Sequence, residues 1–214
     1  MPVSSCGVRR VELSVAEPEV SVDFFAGVLG WTVLAEPGGS FSGWVGDRLA
    51  ARVVAGDRGW RVFFGGDEPR ELRGGSAVGG GRVLHGPWAP RPRGGEPCWV
   101  ELMAEEPDDG FWVGELGWGV RPAGEGFVLF TSSRQGEPRP VAGRLATSRA
   151  RGWRVYFAVG DVVAACGRVS ALGGRVVVDP VVVPTGLVAS VEGPGGGGGC
   201  VLLERPEGWG GAWA

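Results

Sequence analysis

The run Val11-Glu12-Leu13, followed by Pro18, Phe24-Phe25 and Leu29-Gly30-Trp31, returns later as Val100-Glu101-Leu102, Pro107, Phe111-Trp112 and Leu116-Gly117-Trp118. A second run, Trp60-Arg61-Val62-Phe63-Phe64, returns as Trp153-Arg154-Val155-Tyr156-Phe157. Matches that keep their order and near-constant spacing mark a duplication, so one repeating unit decides the fold. The offset falls from 89 at Val11 to 87 at Leu29, which places a two-residue loss in the loop before the second helix.

Each unit opens with an alternating strand, as in 10–15, where Val11, Leu13 and Val15 share one face. A helix follows from Pro18, with Val20, Phe24 and Val28 as its expected apolar stripe and Gly30 as its left-handed stop. Residues 31–34 read as a second strand. The last unit is the clearest: strand 153–159, Asp161 as N-cap, and a helical stripe of Val162, Ala165, Cys166, Val169 and Leu172. Strands 175–183, 186–191 and 200–204 complete the order βαβββ, with Gly193–Gly199 as a turn between the last two. The second unit looks eroded. Its helix falls on 68–75, and the Pro-, Arg- and Gly-rich stretch before Cys98 hardly holds two strands. Either strands were lost there or the stretch is a loose, mobile flap with His85 and Trp88 as a lid. The expected architecture is α+β: duplicated βαβββ modules forming curved mixed sheets with helices outside. The N-terminal half is 1–97, with 67–97 eroded or flap-like, and the C-terminal half is 98–214.

Composition narrows the class. Glycine (42) and proline (16) together hint at low complexity, but 43% apolar residues in 214 are enough to bury a core. The net charge of -3 comes with no basic stripe, which argues against nucleic acid. No apolar run approaches the ~18 residues of a membrane span, and the first residues lack the shape of a signal peptide. Cys6, Cys98, Cys166 and Cys200 lie far apart and read as reduced thiols of a cytoplasmic protein. Lysine, isoleucine and asparagine are all missing, which points to a high-GC, actinomycete-like source.

The duplicated pattern, with Phe-Phe-Ala-Gly-Val-Leu-Gly-Trp at 24–31, Trp-Val-Glu-Leu at 99–102 and Trp-Arg-Val-Tyr-Phe-Ala-Val at 153–159, resembles the vicinal oxygen chelate superfamily of glyoxalases, bleomycin-resistance proteins and extradiol dioxygenases. The resemblance covers nearly all of the chain except 67–97. It implies sheets curled into cups. It also implies, where a metal is used, a His early in a module's first strand and a Glu in its last. Carried onto this sequence, the His positions fall on Arg10, Arg61, Trp99 and Arg154, and the final Glu position on Leu202. None of these ligates a metal. No metal and no other cofactor is therefore expected. More loosely, the chain resembles two-module glyoxalase-like proteins of actinomycete aromatic polyketide (anthracycline) clusters.

Alternation places Val11, Leu13, Val62, Phe64, Val155 and Phe157 toward the helices. The opposite, cup-facing side then carries Arg10, Glu12, Arg61, Phe63, Trp99, Glu101, Met103, Arg154 and Tyr156, with Leu202 and Glu204 from the last strand. Trp44 and Trp88 are added as candidate ligand contacts, and Trp31 and Trp118 as rim residues. Most of the ten tryptophans, Trp209 and Trp213 included, read equally as scaffold. Glu12, Glu101, Arg61, Arg154 and Tyr156 each have a plain structural reading beside the functional one. The expected function is a metal-free protein holding an aromatic natural product in a pocket between the two halves, for self-resistance or as an accessory to a biosynthetic enzyme. The alternative is a metal-independent isomerase, lyase or cyclase with Glu12 or Glu101 as base and Arg10, Arg61 or Arg154 steadying an enolate or phenolate; Tyr156 as an acid and His85 as a general base are further candidates. The covalent pairing of modules predicts a monomer or weak dimer. Trp99 is the expected ligand anchor and Trp153 a scaffold residue.

Overall fold

The computed structural model describes residues 7–134, 136–183 and 185–204; Cys6, Trp209 and Trp213 lie outside them. The first module is β1 (Val8–Val15), α1 (Pro18–Leu29), β2 (Thr32–Glu36), β3 (Ser40–Val45) and β4 (Arg48–Ala55), and the second is β5 (Gly59–Gly65), β6 (Arg70–Leu72) and β7 (Ser76–Gly79). The third is β8 (Pro97–Ala104), α2 (Asp109–Leu116), β9 (Gly119–Gly124), β10 (Phe127–Arg134) and β11 (Glu137–Ala146). The fourth is β12 (Gly152–Val159), α3 (Val162–Ala171), β13 (Arg175–Val183), β14 (Gly186–Glu192) and β15 (Cys200–Glu204).

Two mixed sheets result, ordered β2-β3-β4-β1-β5-β7-β6 and β13-β14-β15-β12-β8-β11-β10-β9. In every module the first strand runs parallel to the last. Modules join within a half through antiparallel first strands, β1 with β5 and β8 with β12. Each sheet therefore contains its own cup.

The helix-side faces of the two sheets meet. Phe157 contacts Phe25, Trp31 and Trp60 at centroid distances of 6.4, 5.6 and 5.4 Å, while Phe64 contacts Trp118 and Trp153 at 5.0 and 5.3 Å. One apolar core spans both halves, and Trp31 and Trp118 sit inside it, not at a rim. The residues expected to line the cup occupy the opposite faces of the two sheets. Glu12 and Phe63 therefore do not share one pocket with Trp99, Glu101 and Tyr156, which corrects that expectation; the cavity between the halves is lined instead by residues such as Arg73, Gly74, Met103, Phe111 and Arg151.

Helix α1 starts on Pro18 and stops at Gly30, whose φ of 74° is the left-handed conformation open to glycine. It is sandwiched between its own sheet and the C-terminal half, so it buries Val22, Phe25 and Leu29 as well as Phe24 and Val28. Val20, placed in the expected stripe, faces solvent instead. Helix α3 is capped as expected, the Asp161 carboxylate accepting from Ala164 N at 2.8 Å. Val162, Ala165 and Val169 are buried, but Leu172 lies beyond the helix end and is largely exposed.

The eroded second module has no helix at 68–75; the hairpin β6–β7 stands there. Where α3 docks on α1 by donating Arg168 Nε and Nη2 to Val28 O, the hairpin docks on α2 by donating Arg70 Nη2 to Glu115 O at 2.6 Å. An arginine on a last-turn carbonyl satisfies an orphan acceptor in both places. Arg73 adds an ion pair to Asp108 and lies over the Phe111 ring.

The stretch after β7 is a strap held to both halves by hydrogen bonds and ion pairs. Leu84 N and His85 N donate to Val8 O, and Trp31 Nε1 donates to Gly95 O at 2.7 Å. Arg48 donates to Pro90 O and Arg91 O, and Arg139 lies over Trp88. The fully buried Glu96 carboxylate takes Arg48 at 2.6 Å and Arg93 at 2.9 Å. Hydrogen bonds Gly95 N→Ala158 O and Ala158 N→Glu96 O tie the strap to the C-terminal half.

Candidate functional site

The duplication gives the cups matching floors. Glu12 stands opposite Arg61, and Glu101 opposite Arg154. The register slips at the same point in each, leaving Arg9 and Cys98 as extra residues of a β-bulge, which re-aims side chains. Beyond the bulge Arg10 faces Phe63, and Trp99 faces Tyr156. Candidate site residues are thus divided: Arg10, Glu12, Arg61 and Phe63 line the N-terminal cup with Trp44, which donates to Ser42 on the same face. Trp99, Glu101, Met103, Arg154 and Tyr156 line the C-terminal one.

In the C-terminal cup Tyr156 Oη donates to Glu101 Oε2 at 2.9 Å; Glu101 is buried and Tyr156 partly buried. Burial raises the Glu101 carboxyl above its usual range, against the pull of Tyr156 and Arg154. Burial and the neighbouring Glu101 also push the Tyr156 hydroxyl up, so it stays protonated. Beside Glu101, in the parallel strand, is Gly143; a Cβ there would press on the Phe127 ring and stand 3.2 Å from Glu101 Oε1. Cys98 reaches Tyr156 O at 3.5 Å and packs with Ala158, Val188, Val201 and Leu203. The result is an acid–phenol pair with apolar walls.

In the N-terminal cup the same glutamate position has no such partner, because Phe63 replaces tyrosine. Glu12 lies 3.6 Å from Arg52 and 4.0 Å from Arg10. Arg52 is held by Glu36 and Arg61 by Glu71, each at 2.6 Å.

Four candidate residues are placed elsewhere. Leu202 pairs with Phe157 and is fully buried on the helix side; Val201 and Leu203 face the cup. Glu204 accepts from Val162 N at 3.1 Å and so helps hold the start of α3. Trp88 belongs to the strap. His85 is 2% exposed, and its Nε2–H donates to Leu49 O at 3.1 Å while Nδ1 has no partner. It is packed between Val8 of the first strand and Leu49 of β4. Its pKa is lowered to about 4 by burial, opposed by the Leu49 bond, with Arg48 adding repulsion. A depressed folded value means that its contribution to stability is present above the unfolded pKa of ~6.5 and lost as pH falls toward 4. Urea unfolding at stepped pH should show about 3 kcal/mol lost across that window, and His85→Leu should remove most of this slope.

Residues 7–197 match the Glyoxalase/Bleomycin resistance protein/Dioxygenase superfamily. The chain belongs to this superfamily. Among solved structures it is similar to the Mn(II)-bound glyoxalase from Novosphingobium aromaticivorans, with TM-score 0.65, 14% identity, and 96% of this chain and 84% of that one covered. It is also similar to 2,2',3-trihydroxybiphenyl 1,2-dioxygenase from Sphingomonas wittichii strain RW1, with TM-score 0.62, 13% identity, and 95% and 91% covered. A third is the 2,3-dioxygenase LapB from Pseudomonas sp. KL28, with TM-score 0.60, 13% identity, and 95% and 93% covered. No curated protein matches. The metal that this superfamily implies does not fit the residues present. The carboxylates of the N-terminal cup, Glu12, Glu36 and Glu71, are set against arginines, Glu101 is set against a tyrosine, and the described residues contain no group of three or more His, Cys, Asp or Glu suited to a metal. Among the described residues no helix is long and apolar enough to cross a membrane.

Proposed function

We propose that this superfamily member is a metal-independent binding protein whose C-terminal cup holds a flat aromatic natural product, anthracycline-like, bearing hydroxyl or carbonyl groups. The observation that carries this is the Glu101–Tyr156 pair among apolar walls. A buried carboxylate seeks a further donor such as a ligand hydroxyl, and Tyr156 and Phe127 supply ring surface. The role is self-resistance or service to a biosynthetic enzyme, in the cytoplasm, as a monomer or weak dimer. Tryptophan fluorescence titration with daunorubicin tests it. Saturable quenching is expected, weakened about 10–100-fold by Glu101→Gln, the range for a hydrogen bond to a charged group. Flat titrations to ~100 μM would sink the ligand class.

The raised Glu101 pKa favours a second reading, in which Glu101 removes a proton next to a substrate carbonyl while Arg154 steadies the oxyanion and Tyr156 donates a hydrogen bond. Conversion of an aromatic ketone substrate that survives a chelator and vanishes in Glu101→Gln would select this reading over pure binding.

A further inference from the structure

We infer that the N-terminal cup is a separate ligand site, built for the carboxylate of a small organic acid. This does not rest on the reading of the C-terminal cup. The bulge sets Arg9 and Arg10 side by side on the cup face. Arg9 runs over a trough made by glycines: a Cβ at Gly79 would stand 3.2 Å from Arg9 Nη1, and one at Gly81 2.7 Å from Nη2. Arg10 Cζ lies 4.0 Å from the Phe63 centroid, and Arg61 Cζ lies 5.0 Å from the same ring.

Charge is not balanced there. Arg52 and Arg61 are matched by Glu36 and Glu71 at hydrogen-bond distance. Glu12 is shared loosely between Arg52 and Arg10, reaching the latter only at 4.0 Å. Arg10 Nε is buried and has no hydrogen-bond partner, a costly condition for a charged donor. Burial, with repulsion from Arg9, Arg52 and Arg61, lowers the Arg10 pKa against the pull of Glu12. Four guanidiniums thus face three carboxylates, a surplus of one positive charge that a monoanion neutralises and a dianion would overshoot. The planar edge of a guanidinium accepts a carboxylate in a bidentate pair. The C-terminal cup cannot take the same ligand. There Cys98 and Trp99 replace the arginine pair, Gly143 replaces Arg52, and Glu101 repels an anion.

Sodium benzoate is the probe, followed by thermal unfolding and calorimetry against sodium chloride at matched ionic strength. Wild type should show a saturable rise in Tm. Arg10→Gln should bind benzoate at least about tenfold more weakly. Arg9→Gln should weaken it by a smaller factor and serves as the test if Arg10→Gln folds poorly. Glu101→Gln should bind benzoate as wild type does, while sodium phosphate should stabilise less than benzoate. A wild-type response no larger than that to chloride, or an unchanged response in both arginine variants, would overturn the inference. So would loss of benzoate binding in Glu101→Gln alone, which would put the probe in the other cup. A failed daunorubicin titration beside an intact benzoate response would sink only the C-terminal reading.

Discussion

Phe157→Ala should cost about 3–5 kcal/mol of stability, the range for emptying a buried aromatic site. Phe157 is fully buried, and its ring contacts Phe25, Trp31 and Trp60, all from the N-terminal half. The truncation therefore opens a cavity where the halves share their core, and the surrounding rings are too large to collapse into it. Urea unfolding followed by tryptophan fluorescence reads the loss as a lower midpoint. Val163→Ala, at an exposed helix position, should stay within about 0.5 kcal/mol of wild type. A Phe157→Ala loss below about 1 kcal/mol would mean that the helix-side faces do not form one core.

Glu96→Ala should cost a similar 3–5 kcal/mol for a different reason. Its carboxylate is fully buried against Arg48 at 2.6 Å and accepts from Arg93 N and Nε at 2.8 and 2.9 Å. Removing it leaves the Arg48 guanidinium mostly buried with no charge opposite, and desolvation is then uncompensated. Glu96→Gln retains an acceptor for Arg93 N–H and should lose less. Limited proteolysis gives the second readout: cleavage within 80–95 should accelerate in Glu96→Ala more than in Phe157→Ala. Equal cleavage rates in wild type and Glu96→Ala would show that the other contacts of the strap suffice.

Much of this fold is legible in the sequence because the duplication preserves alternating strands, and alternation assigns faces. Val11, Leu13, Val62, Phe64, Val155 and Phe157 all enter the core as the period-2 pattern requires. That pattern is silent for Cys200-Val201-Leu202-Leu203, apolar on both faces, and there the expected orientation came out reversed. Which first strands pair is also unreadable, since all four share the same alternation and none carries a signal that selects its partner. The strap reads as a loop by composition because its fastenings are ion pairs and hydrogen bonds between residues distant in sequence, such as Arg48 with Glu96.

The site was half legible. Glu101, Tyr156 and Arg154 do converge, but they leave Glu12 and Phe63 in the other cup. The available signal was the chain's single tyrosine, which stands where the earlier repeat has Phe63. Sequence reasoning missed Arg9, Arg52 and Gly143. Arg9 reaches its cup through a bulge, and the other two enter from parallel strands whose register no local pattern specifies.

The two cup faces lie on opposite sides of one shared core, and this separates their histories. A substitution that relines one leaves the other's ligand shell untouched, so effects on the two sites should add. Selection can then treat them as it treats two copies of a gene after duplication. One concavity is free to gather arginines while the other sheds them, and both stay bound to a core that neither can afford to lose.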